Sequence, residues 1–377
     1  MSFQRVAAIF RKELRHIARD PRSLGLALVQ PLVMLLLFGS ALSLDVDRIS
    51  TMVYDADQTS ASRELIRQFQ GSRYFEIEGF VGNTKALERA IDQNKILVGL
   101  VVPRDYAKRV AAGQNANFQI LLDGSDSNTA SIAMSYVNSL VQGFGNHLRA
   151  DALSRHAGRT LPLPIDFQVR IWYNSSLESK NFVVPGLVAV ILVVIAGMLA
   201  SLTVAREWEM GTMEQLLSTP VRPAELVLAK MLGFFAVGVV DTAIAVLVGI
   251  FVFDVPFRGS LVLLAVTSCL FLCGVFFWGI LISALAKTQL VAYQMGVATT
   301  FLPSFLLSGF IYSLDSMPTV VQGISHFIPA RYFVTILRGI FLKGVGVEVL
   351  WGNIALLTAF MIGVFLLATW RLSQKLA

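Results

Sequence analysis

Six apolar runs, at residues 24–44, 182–204, 226–253, 260–286, 290–312 and 348–371, limit what this chain can fold into more than any other feature. Each is long enough to cross a hydrocarbon core as a helix, which takes about 20 residues. Inside lipid a segment must satisfy its own backbone amides, and continuous apolar runs do so as helices. Composition agrees, because 55% of the 377 residues are hydrophobic and 15% charged, a balance unlike that of soluble domains. The first run exceeds the roughly 7–15 apolar residues of a secretory signal and follows a long basic lead-in, so it reads as a retained span.

Charge orients these spans, since basic residues on short flanks stay in the cytoplasm. With the N-terminus inside, the flanks at 1–22, around 206–230, at Lys287 and at Arg371 and Lys375 collect twelve basic residues. The short outer segments keep Arg258, Arg331, Arg338 and Lys343. Both termini are then cytoplasmic. Residues 45–180 hold 15 basic and 15 acidic residues, read as a neutral water-soluble block, and fall outside. The expected organisation is a cytoplasmic interfacial helix at 1–22, span one at 23–44, an extracytoplasmic α/β domain at 45–180, and a transmembrane domain at 181–377. The fold class is a six-span helical membrane protein with that domain inserted.

Within the first segment, Phe3, Val6, Ala7, Phe10, Leu14 and Ile17 recur at helical spacing opposite basic residues. This suits a helix lying in the interface, or a charged flank that is simply helical. In the neutral block ISTMVYD, RYFEIEGF, ILVGLVVP and NFQILLD read as strands, interleaved with helical stretches at 59–70, 83–92, 105–112 and 126–156. FQVRIWY at 167–173 reads as a fifth strand, after a linker at 158–164.

Several chemistries have no residues to carry them. The sequence contains no G-x-x-x-x-G-K-[ST] phosphate loop and no clustered acid, base or metal set. Cys269 and Cys273 lie four apart in an apolar run and read as small core residues, while His147 and His156 read as solvated surface. An integral membrane enzyme therefore ranks last, no metal site is expected, and the charge distribution does not imply nucleic acid. If the protein does energetic work, its fuel is handled by another chain or by an ion gradient.

The stretch REWEMGTMEQLLSTPVRPAEL, 206–226, interrupts two spans with four glutamates and two prolines. From Arg206 to Ser218, Met210, Met213, Leu216 and Leu217 share a helical face, with Glu207, Glu209 and Glu214 on the remaining surface. Thr219-Pro220 stops that helix, and Pro223 with Glu225 opens the next one, where a carboxylate complements the helix dipole. A solvated loop is the ordinary alternative, but a mere turn needs fewer residues.

The series Arg206, Glu207, Gly211, Thr212, Glu214, Leu216, Leu217, Thr219, Pro220 and Glu225 resembles the signature of type-2 ATP-binding-cassette (ABC) exporter permeases. The arrangement of spans resembles the drug and multidrug exporter branch along essentially the whole chain. The resemblance implies a coupling helix at 206–219 docking on a separate ATPase, two copies of that ATPase, and a second permease, identical or paralogous, in the cytoplasmic (inner) membrane of a bacterium. It leaves open a periplasmic membrane-fusion adaptor. IPARYFVTILRGIF resembles the family's motif before the last span. Read from its residues, 313–343 is apolar but broken by Pro318 and Pro329, with Arg331, Thr335 and Arg338 on one helical face. A re-entrant hairpin at the outer leaflet, or an irregular amphipathic surface loop, fits that pattern.

Asp241 lies mid-span, where a charge needs a partner or water. A functional group and a hydrogen-bonded structural carboxyl are equally open. The expected function is export of an amphipathic or lipophilic substrate powered by the separate ATPase. The competing reading is a mechanical transmitter that moves a periplasmic partner while nothing crosses the bilayer; six spans and the hairpin favour export.

Overall fold

The computed structural model describes residues 2–19, 21–41, 48–157, 172–174, 178–286, 288–312 and 314–376. The chain divides into two compact units, one of residues 1–43 with 171–377 and the other of residues 44–170. The first unit opens with α1 (Phe3–Arg19) and α2 (Pro21–Ala41). The buried side of α1 runs through Ile9 and Glu13, while Phe3 and Leu14 from its expected apolar face are exposed.

The second unit is built from β1 (Ile49–Asp55), α3 (Ser60–Gln70), β2 (Phe75–Phe80), α4 (Thr84–Asp92), β3 (Val98–Val102), α5 (Tyr106–Ala111), β4 (Gln119–Leu122) and α6 (Ser127–Ala157). Its sheet has the order β2-β1-β3-β4, with β1 parallel to both neighbours and β4 antiparallel to β3. Central strands flanked by crossover helices are buried on both faces, which is why VGLVV is apolar at every position. Ile49 and Val53 of β1 join Leu65, Phe69 and Leu100 in one core, and Met52 and Tyr54 pack on the opposite face with Leu87 and Ala90. Thr59 and Asn83 cap α3 and α4 through the amides of Ser62 and Ala86. Four expected strands form; the fifth, at 167–173, lies almost wholly outside the described residues, and Trp172 and Tyr173 are not in a strand.

The first unit resumes with α7 (Ser179–Glu209), α8 (Thr212–Leu217), α9 (Pro223–Phe251), α10 (Leu261–Leu285), α11 (Gln289–Leu307), α12 (Thr319–Ser325), α13 (Pro329–Arg338) and α14 (Val347–Leu376), with a π-helical turn over Gly339–Lys343. Among the described residues, five helices are long and apolar enough to cross a membrane: α7, α9, α10, α11 and α14. Six were expected. The first expected span falls on α2, a helix of 21 residues from Pro21 to Ala41, of which Ala27–Ala41 is a shorter apolar helix among the described residues.

Helix α7 is the hub of this unit, packed by α2, α9, α10, α11 and α13. Small residues let its neighbours come close, as in many membrane bundles. A Cβ on Gly279 of α10 would lie 2.4 Å from the Cβ of Ala200 and 2.8 Å from the Gly197 carbonyl. At 31 residues α7 rises about 46 Å, more than the roughly 30 Å of a hydrocarbon core. Its last turn, Arg206 to Glu209, therefore extends beyond its apolar stretch.

Candidate functional site

The turn between α7 and α9 is divided differently from the sequence expectation. The helix expected from Arg206 to Ser218 is broken at Gly211, which takes a left-handed φ of 70°, a conformation glycine adopts without steric cost. Arg206, Glu207 and Glu209 thus belong to α7, and α8 is a separate helix of six residues. Met213 of α8 is fully buried, anchoring it, while Met210 is 60% exposed and Glu214, Ser218, Thr219 and Pro220 are exposed beside it. Thr212 leans back on α7, its Oγ1 donating to the Glu207 carbonyl at 3.4 Å. Leu217 ends α8. The turn closes through Thr219, whose amide donates to the Leu216 carbonyl at 3.2 Å.

Glu207 does not contribute to the exposed acidic surface expected of it. It is 7% exposed and points inward. Its Oε1 accepts from Lys12 Nζ at 2.7 Å, and its Oε2 lies 2.9 Å from Lys230 Nζ, an ion contact that lacks hydrogen-bond angles. Lys230, 1% exposed on α9, also donates to Glu13 of α1 at 3.2 Å. Two lysines and two glutamates thereby neutralise one another where isolated charges could not be buried. Helix α1 approaches α9 this closely because a Cβ on Gly233 would stand 2.8 Å from the Glu13 Cβ.

A second carboxylate ties the chain start to the same turn. Glu225, fully buried in the first turn of α9, accepts from the amides of Ser2 at 2.7 Å and Arg222 at 3.1 Å, with Arg5 Nη1 at 3.4 Å. Arg5 also donates to the Pro220 carbonyl. On the other flank Arg206 Nε donates to Gln289 Oε1 at 3.3 Å, and the Gln289 amide donates to Glu209 Oε2 at 2.8 Å. The α8 turn is therefore held between helix ends that are themselves tied down, the start of α9 by α1 and the end of α7 by α1 and α11. Lys12, Glu13, Lys230 and Gln289 were not read from the sequence as part of this site. Glu13, one turn from Ile9 and from Ile17, and Lys230 inside an otherwise apolar run are the signals that mark them.

The segment before α14 forms two helices too short to cross, α12 and α13, joined at Pro329. Arg331 and Arg338 do not share an open face. Arg331 folds back on the corner, donating to the Gln322 carbonyl at 3.3 Å and to Ser325 Oγ. Arg338 reaches the other way, donating to the carbonyls of Gly309 at 2.9 Å and Phe310 at 3.1 Å and stacking 3.5 Å from the Phe182 ring centroid. It ties α13 to the start of α7 and the end of α11. Asp241 of α9 is 3% exposed, and its Oδ1 has no hydrogen-bond partner among the described residues. The structure does not bring it together with the α8 turn or with Arg338.

The profile of ABC-2 family transporter proteins matches residues 21–370. This chain belongs to the ABC-2 transporter family. The permease is 37% identical over 376 residues to the probable multidrug ABC transporter permease YbhS of Escherichia coli K12, covering 100% of this chain and 98% of that one. It is 31% identical over 352 residues to the probable multidrug ABC transporter permease YbhR of the same organism, covering 93% and 94%. A more distant relative, the inner membrane transport permease YhhJ of E. coli K12, is 24% identical over 370 residues, covering 97% of this chain and 96% of YhhJ. The permease is thus similar to these relatives over nearly its full length, including both compact units.

Proposed function

We propose that this permease exports an amphipathic or lipophilic substrate, drug-like or lipid-like, driven by a separate ATPase subunit that binds ATP and magnesium and docks on the α8 turn. The observation that carries the docking is the contrast within that turn. Met213 is sunk into the protein and the flanking carboxylates Glu207 and Glu225 are locked into ion clusters, whereas Met210, Glu214, Thr219 and Pro220 stand exposed on a braced element. A braced helix can pass displacement into α7 and α9; a loose loop would absorb it. In this reading Met210, Glu214, Thr219 and Pro220 meet the ATPase, while Arg206, Glu207, Gly211 and Thr212 hold the helix in place.

The drug-like substrate class is supported by the names of the relatives YbhS and YbhR, probable multidrug permeases, and the outward direction by the resemblance of the sequence to exporter permeases. Helix α2, at 21 residues, serves as the sixth span. Residues 45–180 then lie outside the inner membrane, both termini lie in the cytoplasm, and two permease copies, identical or paralogous, form the path above two ATPase subunits. Single cysteines at Ser60, Gln114 and Ser218, in a variant lacking Cys269 and Cys273, test this orientation with a thiol reagent that cannot cross the inner membrane. Labelling at Ser60 and Gln114 with protection at Ser218 supports it, and the reverse pattern inverts it. Reconstitution with the ATPase, following a fluorescent amphiphile, tests export against mechanical transmission: ATP-driven movement across the bilayer supports the former.

A further inference from the structure

A cavity of about 400 Å³ lies beneath α1, between α2, α7, α8 and α9. That volume falls in the range of small-molecule sites, roughly 300–1,000 Å³. Its walls change character in the same direction on each helix. Along α7 the lining passes from Leu199 and Leu202 to Arg206 and Glu207. Along α9 it passes from Val237 and Phe234 to Lys230, and from α2 to α1 it passes from Ala27 and Leu24 to Lys12 and Glu13. The result is an apolar compartment with one charged end, the shape of an amphiphile's environment.

The charged end is not neutral. Lys12 and Lys230 are balanced by Glu13 and Glu207 through contacts of 2.7 to 3.9 Å. The third cation, Arg206, donates to the neutral amide oxygen of Gln289 and enters no ion pair among the described residues. Among the residues that line the cavity one positive charge is left over, the Glu209 carboxylate outside the lining accepting from the Gln289 amide, and a guanidinium is suited to forked contact with sulfate, phosphate or carboxylate oxygens. A cationic head group would meet three cations against two carboxylates.

We infer that this cavity binds an anionic amphiphile taken from the adjoining leaflet, its tail among α2, α7 and α9 and its head group at Arg206. The inference rests on the proposed orientation for placing that leaflet on the cytoplasmic side, but it needs no ATPase.

The test uses the full-length permease alone in nanodiscs of zwitterionic lipid, with a trace of hexadecyl sulfate bearing a diazirine on its chain and a matched hexadecyltrimethylammonium probe. After photolysis the labelled peptides are mapped. The sulfate probe is expected to label the α2 and α7 lining, in competition with unlabelled hexadecyl sulfate, and the cationic probe to label it at least tenfold less. Arg206→Gln should lower sulfate labelling about tenfold and erase the preference, whereas Arg206→Lys should retain most of both. Leu202→Trp, or the milder Leu199→Phe if the tryptophan variant does not fold, should exclude both probes by filling the space. Equal labelling by the two probes, unchanged labelling in Arg206→Gln, or labelling confined to α11 would overturn the inference. Because no ATPase is present, a failure of α8 docking leaves this result intact, and a failure here leaves docking intact.

Discussion

Lys230 Nζ of α9 lies 2.9 Å from Glu207 Oε2 of α7, although Lys230 is only 1% exposed. With Glu13 and Lys12 this contact joins the N-terminal helix, the end of α7 and the start of α9 into one ion cluster. Removing one partner of a buried pair typically costs about 3–5 kcal/mol, because the remaining charge is stranded. Lys230→Met should therefore lower the thermal unfolding midpoint of the purified permease sharply. Lys230→Met combined with Glu207→Gln should recover part of the loss, since the second change removes a stranded charge. Additive losses in the double variant would show that the two residues are not energetically coupled.

Gly211 separates α7 from α8 at φ 70°, and a Cβ added there meets nothing within 4 Å. The cost of Gly211→Ala is then conformational, about 1–2 kcal/mol for a left-handed residue with a side chain. The variant should insert at normal abundance but hold the ATPase less well, because α8 is re-aimed. Asparagine tolerates the left-handed region better, so Gly211→Asn should recover most ATPase binding. Equal behaviour of the alanine and asparagine variants in a co-purification assay would rule out this backbone role.

Arg338 forks between the carbonyls of Gly309 and Phe310 and stacks on Phe182. Lysine keeps the charge but neither the planar fork nor the stacking, and hydrogen bonds from charged groups are worth about 1.5–3 kcal/mol each. Arg338→Lys should cost about 2 kcal/mol or more and loosen the junction of α7, α11 and α13. Thermal unfolding checks the first expectation, and cysteine accessibility near Phe310 the second. Wild-type values in both would mean that charge alone suffices at this position.

The helices of the first unit were legible because a crossing needs only length and apolarity, and both are written along α7, α9, α10, α11 and α14. Short apolar and β-branched runs set between helical stretches made β1 to β4 legible in the same local way. The coupling turn was legible in place but not in detail. Helical spacing from Arg206 to Ser218 places Glu207 on the outer surface only if the helix is continuous, and the left-handed break at Gly211 interrupts it. The true direction of Glu207 is fixed by Lys12 and Lys230, residues distant in sequence, which no local pattern specifies. Lys230 lies in the cytoplasmic flank by charge alone, and Glu13 lies among basic residues, so neither is marked as a buried ion partner by its neighbours in sequence. The partners of Arg338 lie on segments far from it in the chain, so sequence periodicity gave its face and not its contacts.

Docking of a separate ATPase on the exposed side of α8 is tested by ATPase recovery on a Glu214→Lys permease. Glu214 is exposed and outside both ion clusters, so its reversal should spare insertion and unfolding temperature; Glu207→Lys would instead break the buried cluster and confuse the two effects. Placing like charge at a docked contact should weaken recovery of the co-expressed ATPase about tenfold or more, equivalent to about 1.4 kcal/mol or more. Transport-coupled ATPase activity should fall alongside it at matched membrane abundance. Undiminished recovery and unchanged coupled activity in Glu214→Lys would contradict docking at α8.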